Sequence, residues 1–259
     1  MNKIYNEDCL KTLDREIVKF DAVITSPPYN TSRSCASDKY NSRYDVHVDE
    51  MTTADYNDWT VNIFNKIDEK LSKDGVVLYN LSYSSENTDG IYLTIADIIG
   101  KTNFTVMDCI SWKKNSAIPN NRSKNKVTRI CEFIFVIARK SEKKTFMSNK
   151  NVVSRIERTG QANYENVFNF IEAKNNDGSC KLNKATFSSE LIEKLIDMYV
   201  PKGSIIYDPF FGTGTTAIAA IRKGCKCTGS EISEAQVEFS RDRIKKEIRL
   251  RDEKIKEEK

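Results

Sequence analysis

From Ser204 to Lys223 the chain reads Ser-Ile-Ile-Tyr-Asp-Pro-Phe-Phe-Gly-Thr-Gly-Thr-Thr-Ala-Ile-Ala-Ala-Ile-Arg-Lys. A short apolar run ends in an acid, passes through a Gly-x-Gly turn and opens directly into an Ala-rich helix. A strand packed beside its following helix accommodates so tight a passage, because the glycines let the two backbones come close. This segment commits the chain to an α/β arrangement more firmly than any other. Its neighbours agree. Before it, Leu191, Ile192, Leu195, Ile196 and Tyr199 form a helical stripe over Ser188–Tyr199, with Ser188 placed to cap it. After it, Cys225–Ser230 reads as another strand.

The same alternation runs through the rest of the sequence. Strands are expected at Asp21–Thr25, Val76–Tyr79, Phe104–Ile110 and Ile134–Ile137, and helices at Tyr56–Leu71 and Ile91–Ile99. Asp74-Gly75 reads as a break before the second of these strands. The pattern predicts one α/β domain with a largely parallel sheet. Two stretches fall out of rhythm. Residues 31–55 are polar and too long for an ordinary connection. Residues 140–184 are polar and basic with few apolar runs, and read as an insertion. The tail from Arg241 reads as a solvated helix.

Composition removes several function classes. The chain has one histidine in 259 residues, so a Ser-His-Asp or Cys-His mechanism, or a His-rich metal site, would rest on His47 alone. His47 lies in a polar stretch and reads as a loop residue. Seven cysteines without framework spacing read as reduced thiols, and Cys225-Lys226-Cys227 lacks zinc-site spacing, so no metal is expected. The first residues turn acidic too early for a secretory signal, and no apolar run is long enough to cross a membrane, so a cytoplasmic protein is expected.

Charge is unevenly distributed. The chain carries a formal net charge of +4, but residues 112–160 hold 13 Lys and Arg against 3 acids, leaving the remainder net acidic. A basic block in an otherwise acidic chain predicts one face built for a polyanion.

Two segments carry chemistry. At Asp208–Ala217 the glycines allow close approach to a nucleotide-like ligand, and Glu231, ending the next strand, is placed to accept two ribose hydroxyls. A dinucleotide fits that geometry equally well. At Thr25-Ser26-Pro27-Pro28-Tyr29-Asn30, two prolines fix the backbone at a strand's carboxyl end. Rigid carbonyl and hydroxyl acceptors beside an aromatic face suit a planar ring bearing an amino group.

Together, Thr-Ser-Pro-Pro-Tyr-Asn and Asp-Pro-Phe-Phe-Gly-Thr-Gly-Thr-Thr-Ala resemble the amino-group-specific DNA methyltransferases (cytosine N4 or adenine N6). The order, catalytic motif first and cofactor motif second, is similar to the permuted beta group. Tyr5–Leu10, Ser111–Lys114 and Glu132–Phe135 extend the likeness over most of the chain. One segment departs: where the family usually has His-Pro-Ala-x-Phe-Pro, this chain has Asn183-Lys184-Ala185-Thr186-Phe187-Ser188.

The resemblance implies a Rossmann-like S-adenosylmethionine-dependent fold with a small basic insertion for DNA recognition. Residues 1–139 become the catalytic part, 140–183 the target-recognition insertion and 184–259 the cofactor part with a C-terminal helix. Ser26, Pro27, Pro28 and Tyr29 become the catalytic set. Asp8, Cys9, Phe187, Asp208, Phe210, Gly212, Gly214, Thr215 and Glu231 become the S-adenosylmethionine site. In this assignment Asp8 meets the adenine and Glu231 the ribose, while Asp208 and the Gly turn hold the methionine side. Lys113, Lys114, Arg122, Lys124, Lys126 and Arg129 are the expected DNA contacts. The expected partner is double-stranded DNA, with the protein near the nucleoid. A homodimer and a companion restriction endonuclease are further partners the resemblance raises.

Serine at the first catalytic position favours cytosine N4 over adenine N6, though Pro-Pro-Tyr-Asn also occurs in adenine enzymes of this group. Cytosine C5 chemistry is set aside, since none of the five prolines precedes a cysteine. The rivals are a nicotinamide dehydrogenase, an RNA or protein-amide methyltransferase, and an inactivated nucleic-acid-binding module.

Overall fold

A computed structural model describes residues 3–15, 18–30, 51–83, 87–116, 124–178, 182–183 and 186–257. In chain order the elements begin with β1 (Lys3–Tyr5), α1 (Cys9–Asp14), β2 (Phe20–Thr25), α2 (Thr53–Lys70), β3 (Leu71–Leu81) and α3 (Gly90–Lys101). There follow β4 (Phe104–Lys114), β5 (Cys131–Arg139), β6 (Val152–Arg155), β7 (Ala162–Tyr164) and β8 (Phe170–Ala173). The last are α4 (Ser189–Tyr199), β9 (Ile205–Asp208), α5 (Thr215–Arg222), β10 (Lys226–Ser230) and α6 (Glu234–Glu257).

Eight strands form one sheet in the order β1-β10-β9-β2-β3-β5-β4-β8. The run from β1 to β3 is parallel throughout, β5 is antiparallel to both β3 and β4, and β8 returns to parallel beside β4. The largely parallel sheet expected from the β-α alternation is therefore present, with an antiparallel strand inserted beside β3.

Alternation along the strands builds two apolar layers, because successive side chains point to opposite faces. Ala22, Ile24, Val76, Leu78, Ile110, Trp112, Ile134 and Val136 face a layer made by α4, α5 and Ile244 of α6. Val23, Val77, Tyr79, Ile137 and Tyr207 face the opposite way, toward Leu13, Phe64, Ile67 and Ile95 of α1, α2 and α3. With helices on both faces, the central strands are buried on both sides. That is why they read as continuous apolar runs rather than as alternating ones.

Several boundaries move. Ser188 caps α4 as expected, its Oγ accepting from the Leu191 amide at 3.3 Å. Asp74-Gly75 does not break the chain. It sits inside β3, where the register with β2 jumps from Phe20↔Leu71 to Ala22↔Val76. Asp74 takes φ 56° there, a left-handed conformation that Asp tolerates better than most residues. The 140–184 stretch is not a plain insertion either. β6 and β7 pair as a separate exposed hairpin, and β8 joins the main sheet. Ile171 and Ala173 are buried while Phe170 and Glu172 are exposed, so a four-residue strand hides in polar sequence. β1, three residues long, was equally invisible.

Candidate active site

The site follows from one feature of strand order. β9 leads through α5 to β10 on one side, while β2 leads through α2 to β3 on the other, yet β9 and β2 pair directly. Where parallel strands diverge in this way, a cleft opens at their carboxyl ends. Both motifs singled out in the sequence end these two strands.

The two strand ends are tied together. Thr25 Oγ1 donates to Asp208 Oδ1 at 2.7 Å, Thr216 Oγ1 donates to Oδ2 at 2.6 Å, and the Phe210 amide donates to Oδ1 at 3.0 Å. Asp208 is 1% exposed, and burial pushes its carboxyl up to about 6 despite these three donors. It fastens the Ser-Pro-Pro loop to the Gly turn and to the first turn of α5.

Glu231 stands opposite. The Gly212 amide donates to its Oε2 at 2.7 Å and the Ser233 amide to its Oε1 at 2.9 Å. Gly212 takes φ 52° and Gly214, the N-cap of α5, φ 79°. Gly214 lies behind the turn, where a Cβ would come within 3.0 Å of the Ser240 Cβ. It shapes the turn, whereas Gly212 lines the cleft. Arg243 of α6 braces the turn from behind, donating to the Thr213 carbonyl at 2.9 Å and pairing with Asp177 at 2.9 Å.

Pairing of β1 with β10 brings the N-terminal segment to the same place. The Glu231 amide donates to the Tyr5 carbonyl at 3.0 Å, and Asn6 Nδ2 to the Glu231 carbonyl at 2.9 Å. Asp8 then caps α1 by accepting from the Leu10 amide at 2.8 Å. One cleft is lined by Asp8, Cys9, Ser26, Pro28, Phe187, Asp208, Phe210, Gly212, Thr215 and Glu231. All but one of the expected cofactor residues thus converge, the exception being Gly214. Asn183 and Thr186, from the segment that departs from the family pattern, line it too, as does Trp59, whose ring lies 5.4 Å from that of Phe210. Burial raises the Cys9 thiol far above its ordinary range, so it is inert.

The cleft continues into a polar cluster that the sequence reading missed. Along the face of Ala22 and Ile24, the next position is Ser26. After Val76 and Leu78 it is Asn80, after Val136 and Ile134 it is Glu132, and after Ile110 and Trp112 it is Lys114. Four strands thus turn polar on the same face, with Ser26 level with Asn80, and Glu132 and Lys114 each stepped further along. Tyr29 OH lies 2.8 Å from Ser26 Oγ and donates to Glu132 Oε2 at 3.1 Å. Asn80 Nδ2 donates to Tyr29 OH at 2.7 Å and to Glu132 Oε2 at 3.1 Å. Lys114 pairs with Glu132 Oε1. The only hint in the sequence was a single polar residue ending each apolar run. Nearby, Tyr56 OH donates to the Pro28 carbonyl at 2.8 Å, and Asn30 takes φ 49°.

Among the expected DNA contacts, Lys124 and Lys126 are exposed. Lys113 pairs with Glu172, and Arg129 donates to the Tyr83 carbonyl and lies 5.1 Å from the centre of its ring. Arg122 and His47 fall outside the described residues. Among the described residues no group of His, Cys, Asp and Glu could hold a metal ion, and no helix is long and apolar enough to cross a membrane.

A switch-point cleft with a fixed strand-end carboxylate, a Gly turn and an adjoining Ser-Pro-Pro-Tyr loop defines an enzyme that brings a nucleoside-bearing cofactor against a planar substrate. The family model for N6/N4 DNA methylases, described as DNA methylase, matches residues 20–242. The Type II methyltransferase M.ScaI of Streptomyces caespitosus is 23% identical, over 93% of this chain and 79% of its own. The PvuII DNA methyltransferase, a cytosine-N4-specific enzyme, superposes with a TM-score of 0.67 at 17% identity, over 93% of this chain and 85% of its own. M1.HpyAVI in complex with SAM superposes at 0.61 with 21% identity, over 94% of this chain and 100% of its own. The chain belongs to the N6/N4 DNA methylase family. It is a DNA methyltransferase acting on an exocyclic amino group, cytosine N4 or adenine N6, with S-adenosylmethionine as methyl donor.

Proposed function

We propose that this enzyme is site-specific and methylates N4 of cytosine in a base turned out of the duplex. The observation that carries the reading is Ser26, a hydroxyl at the first position of the catalytic loop, lining the same cleft as Gly212 and Glu231. The neighbouring fold of a cytosine-N4-specific enzyme supports it.

The residues of the cleft fit S-adenosylmethionine. Glu231 is a carboxylate held by two backbone amides at the rim, suited to the ribose hydroxyls. Asp8 stands by the adenine end, Phe187, Phe210 and Ile232 supply apolar surface, and Gly212 keeps the turn low. Asp208, Thr215 and the turn between them hold the methionine end. When bound, the cofactor supplies an electrophilic methyl group on a sulfonium.

The chain's own work is to prepare the nucleophile. The exocyclic nitrogen is a poor one, because its lone pair is conjugated with the ring. Ser26 Oγ and the Pro27 carbonyl accept its two hydrogens and draw it out of conjugation, and Tyr29 holds the ring. Positioning then supplies much of the rate, without a covalent enzyme intermediate. A stacked base cannot reach this cleft, so it is flipped out. Residues 140–183, with the exposed β6–β7 hairpin, read the target, and the basic block tracks phosphates. A homodimer and a companion restriction endonuclease complete the reading, which places the enzyme in the cytoplasm beside the chromosome.

Nucleoside mass spectrometry of DNA treated with the purified protein and labelled cofactor tests the assignment. N4-methylcytosine is expected. N6-methyladenine alone would replace it with the adenine reading, which Asn30 after Pro-Pro-Tyr favours.

A further inference from the structure

We propose that Glu132 is a positioning residue that sets the direction of the hydrogen bond between Tyr29 and Ser26, leaving Ser26 as an acceptor toward the substrate. The inference rests on the reading above, in which Ser26 receives a hydrogen of the target amino group.

The argument is a count of hydrogens. Tyr29 OH carries one, and three groups surround its oxygen: Ser26 Oγ at 2.8 Å, Asn80 Nδ2 at 2.7 Å and Glu132 Oε2 at 3.1 Å. The Asn80 amide nitrogen only donates. It gives one hydrogen to Tyr29 and the other to Glu132 Oε2. The Tyr29 hydrogen then goes either to Ser26 or to Glu132. A carboxylate is a stronger acceptor than a hydroxyl, and Lys114 pairs with its other oxygen. Tyr29 therefore donates to Glu132, and the 2.8 Å contact with Ser26 is left for Ser26 to donate. Asn80 Nδ2 approaches Ser26 Oγ only at 3.5 Å, so Ser26 keeps acceptor capacity toward the cleft side.

Asn80 supports this polarity independently. Its Oδ1 is buried and has no hydrogen-bond partner. Such an orphan is unfavourable. The amide keeps this orientation because turning it over would set Oδ1 against the Glu132 carboxylate. The whole cluster is thus oriented from one charge.

Without that charge the sense of the Tyr29–Ser26 bond is no longer fixed. Tyr29 donating to Ser26 would occupy one lone pair and turn the Ser26 hydrogen toward the amino group, where it repels the hydrogens it should receive. Glu132 does not touch the substrate in this scheme. It acts only through Tyr29 and Asn80.

The test is a double-mutant cycle read by single-turnover methyl transfer at saturating cofactor and DNA, with cofactor affinity and melting midpoint measured alongside. Glu132→Gln is expected to slow transfer at least about tenfold, the scale of one hydrogen bond to a charged group, with cofactor affinity unchanged. Tyr29→Phe is expected to be slow as well, and the double variant no slower than the slower single one, since the relay is already cut. Glu132→Asp, which keeps the charge, is expected to be faster than Glu132→Gln, and it carries the test if Glu132→Gln melts early. A wild-type rate in Glu132→Gln, or losses that multiply in the double variant, would overturn the relay while leaving the enzyme's function standing. Wild-type protein that methylates no DNA would overturn the functional reading and the relay with it.

Discussion

Asp208 shows how much a single buried side chain does here. Its carboxyl accepts from Thr25, Thr216 and the Phe210 amide, and burial still lifts its pKa from 3.8 to about 6. The folded protein therefore holds a proton on Asp208 that the unfolded chain has lost. The stability gained is fully present below pH 3.8 and disappears as pH rises through about 6. Between pH 5 and pH 8, urea titrations should show wild type losing about 1.4 kcal/mol more than Asp208→Asn, the value of one pKa unit. Equal losses would mean that another group carries the slope. Glu231→Ala should weaken cofactor binding at least about tenfold by calorimetry, since each charge-assisted hydrogen bond contributes roughly 1.5–3 kcal/mol. Ser26, Asp208 and Glu231 were legible in the sequence because each ends a recognisable strand beside a turn of unusual composition. Asn80 and Glu132 were not. Each is one polar residue at the end of an apolar run, and only the β3–β5 register, Asn80 opposite Ile134, makes them diagonal neighbours on one face.

At the scale of elements, the Gly turn depends on Arg243 and Asp177, which do not line the cleft. Arg243 of α6 holds the Thr213 carbonyl and pairs with Asp177. Asp177 in turn accepts from the amide and hydroxyl of Ser189 at the start of α4. Arg243→Ala should loosen the turn and weaken cofactor binding about fivefold, the scale of a hydrogen bond worth about 1 kcal/mol. Ser188→Ala is the matched control. Loss of the α4 cap should lower unfolding free energy by about 1 kcal/mol with cofactor affinity unchanged. A drop in affinity in both variants would mean that general loosening, not the Arg243 brace, is responsible. The helices were legible because their apolar stripes are long. β1 and β8 were not, since three or four residues carry too little pattern, and their strand character comes from edges of the sheet that wait for a partner.

At the scale of the whole molecule, strand pairing divides the basic block into cations with partners and cations turned outward. The sequence places 13 Lys and Arg between residues 112 and 160, but the structure sets Lys113 against Glu172 and Lys114 against Glu132, and Arg129 against Tyr83. Each of these three cations thus has a partner within the chain. Lys124 and Lys126 are exposed, so replacing both by Ala should flatten the log–log salt dependence of DNA affinity by about 2, one for each lost phosphate contact. Lys113→Ala should change it little. An unchanged slope in the double variant would show the block to be a solvated loop. The charge asymmetry was readable from composition, but which cations face outward depends on the strand pairing that supplies their partners.

The seam between β2 and β9 joins segments about 180 residues apart in the chain, and β1–β10 and β4–β8 repeat the pattern. The polypeptide leaves this body for the β6–β7 hairpin, where residues 151–160 are exposed throughout. One cut after Arg158 would yield two pieces, neither with a complete sheet, held together by three interleaved ladders of the main sheet and by the β6–β7 pairing. Limited trypsin digestion should accordingly give a nicked enzyme that travels as one particle on a sizing column and falls into two bands only in denaturant. The same connection is where the chain can be divided into separately expressed halves that reconstitute each other.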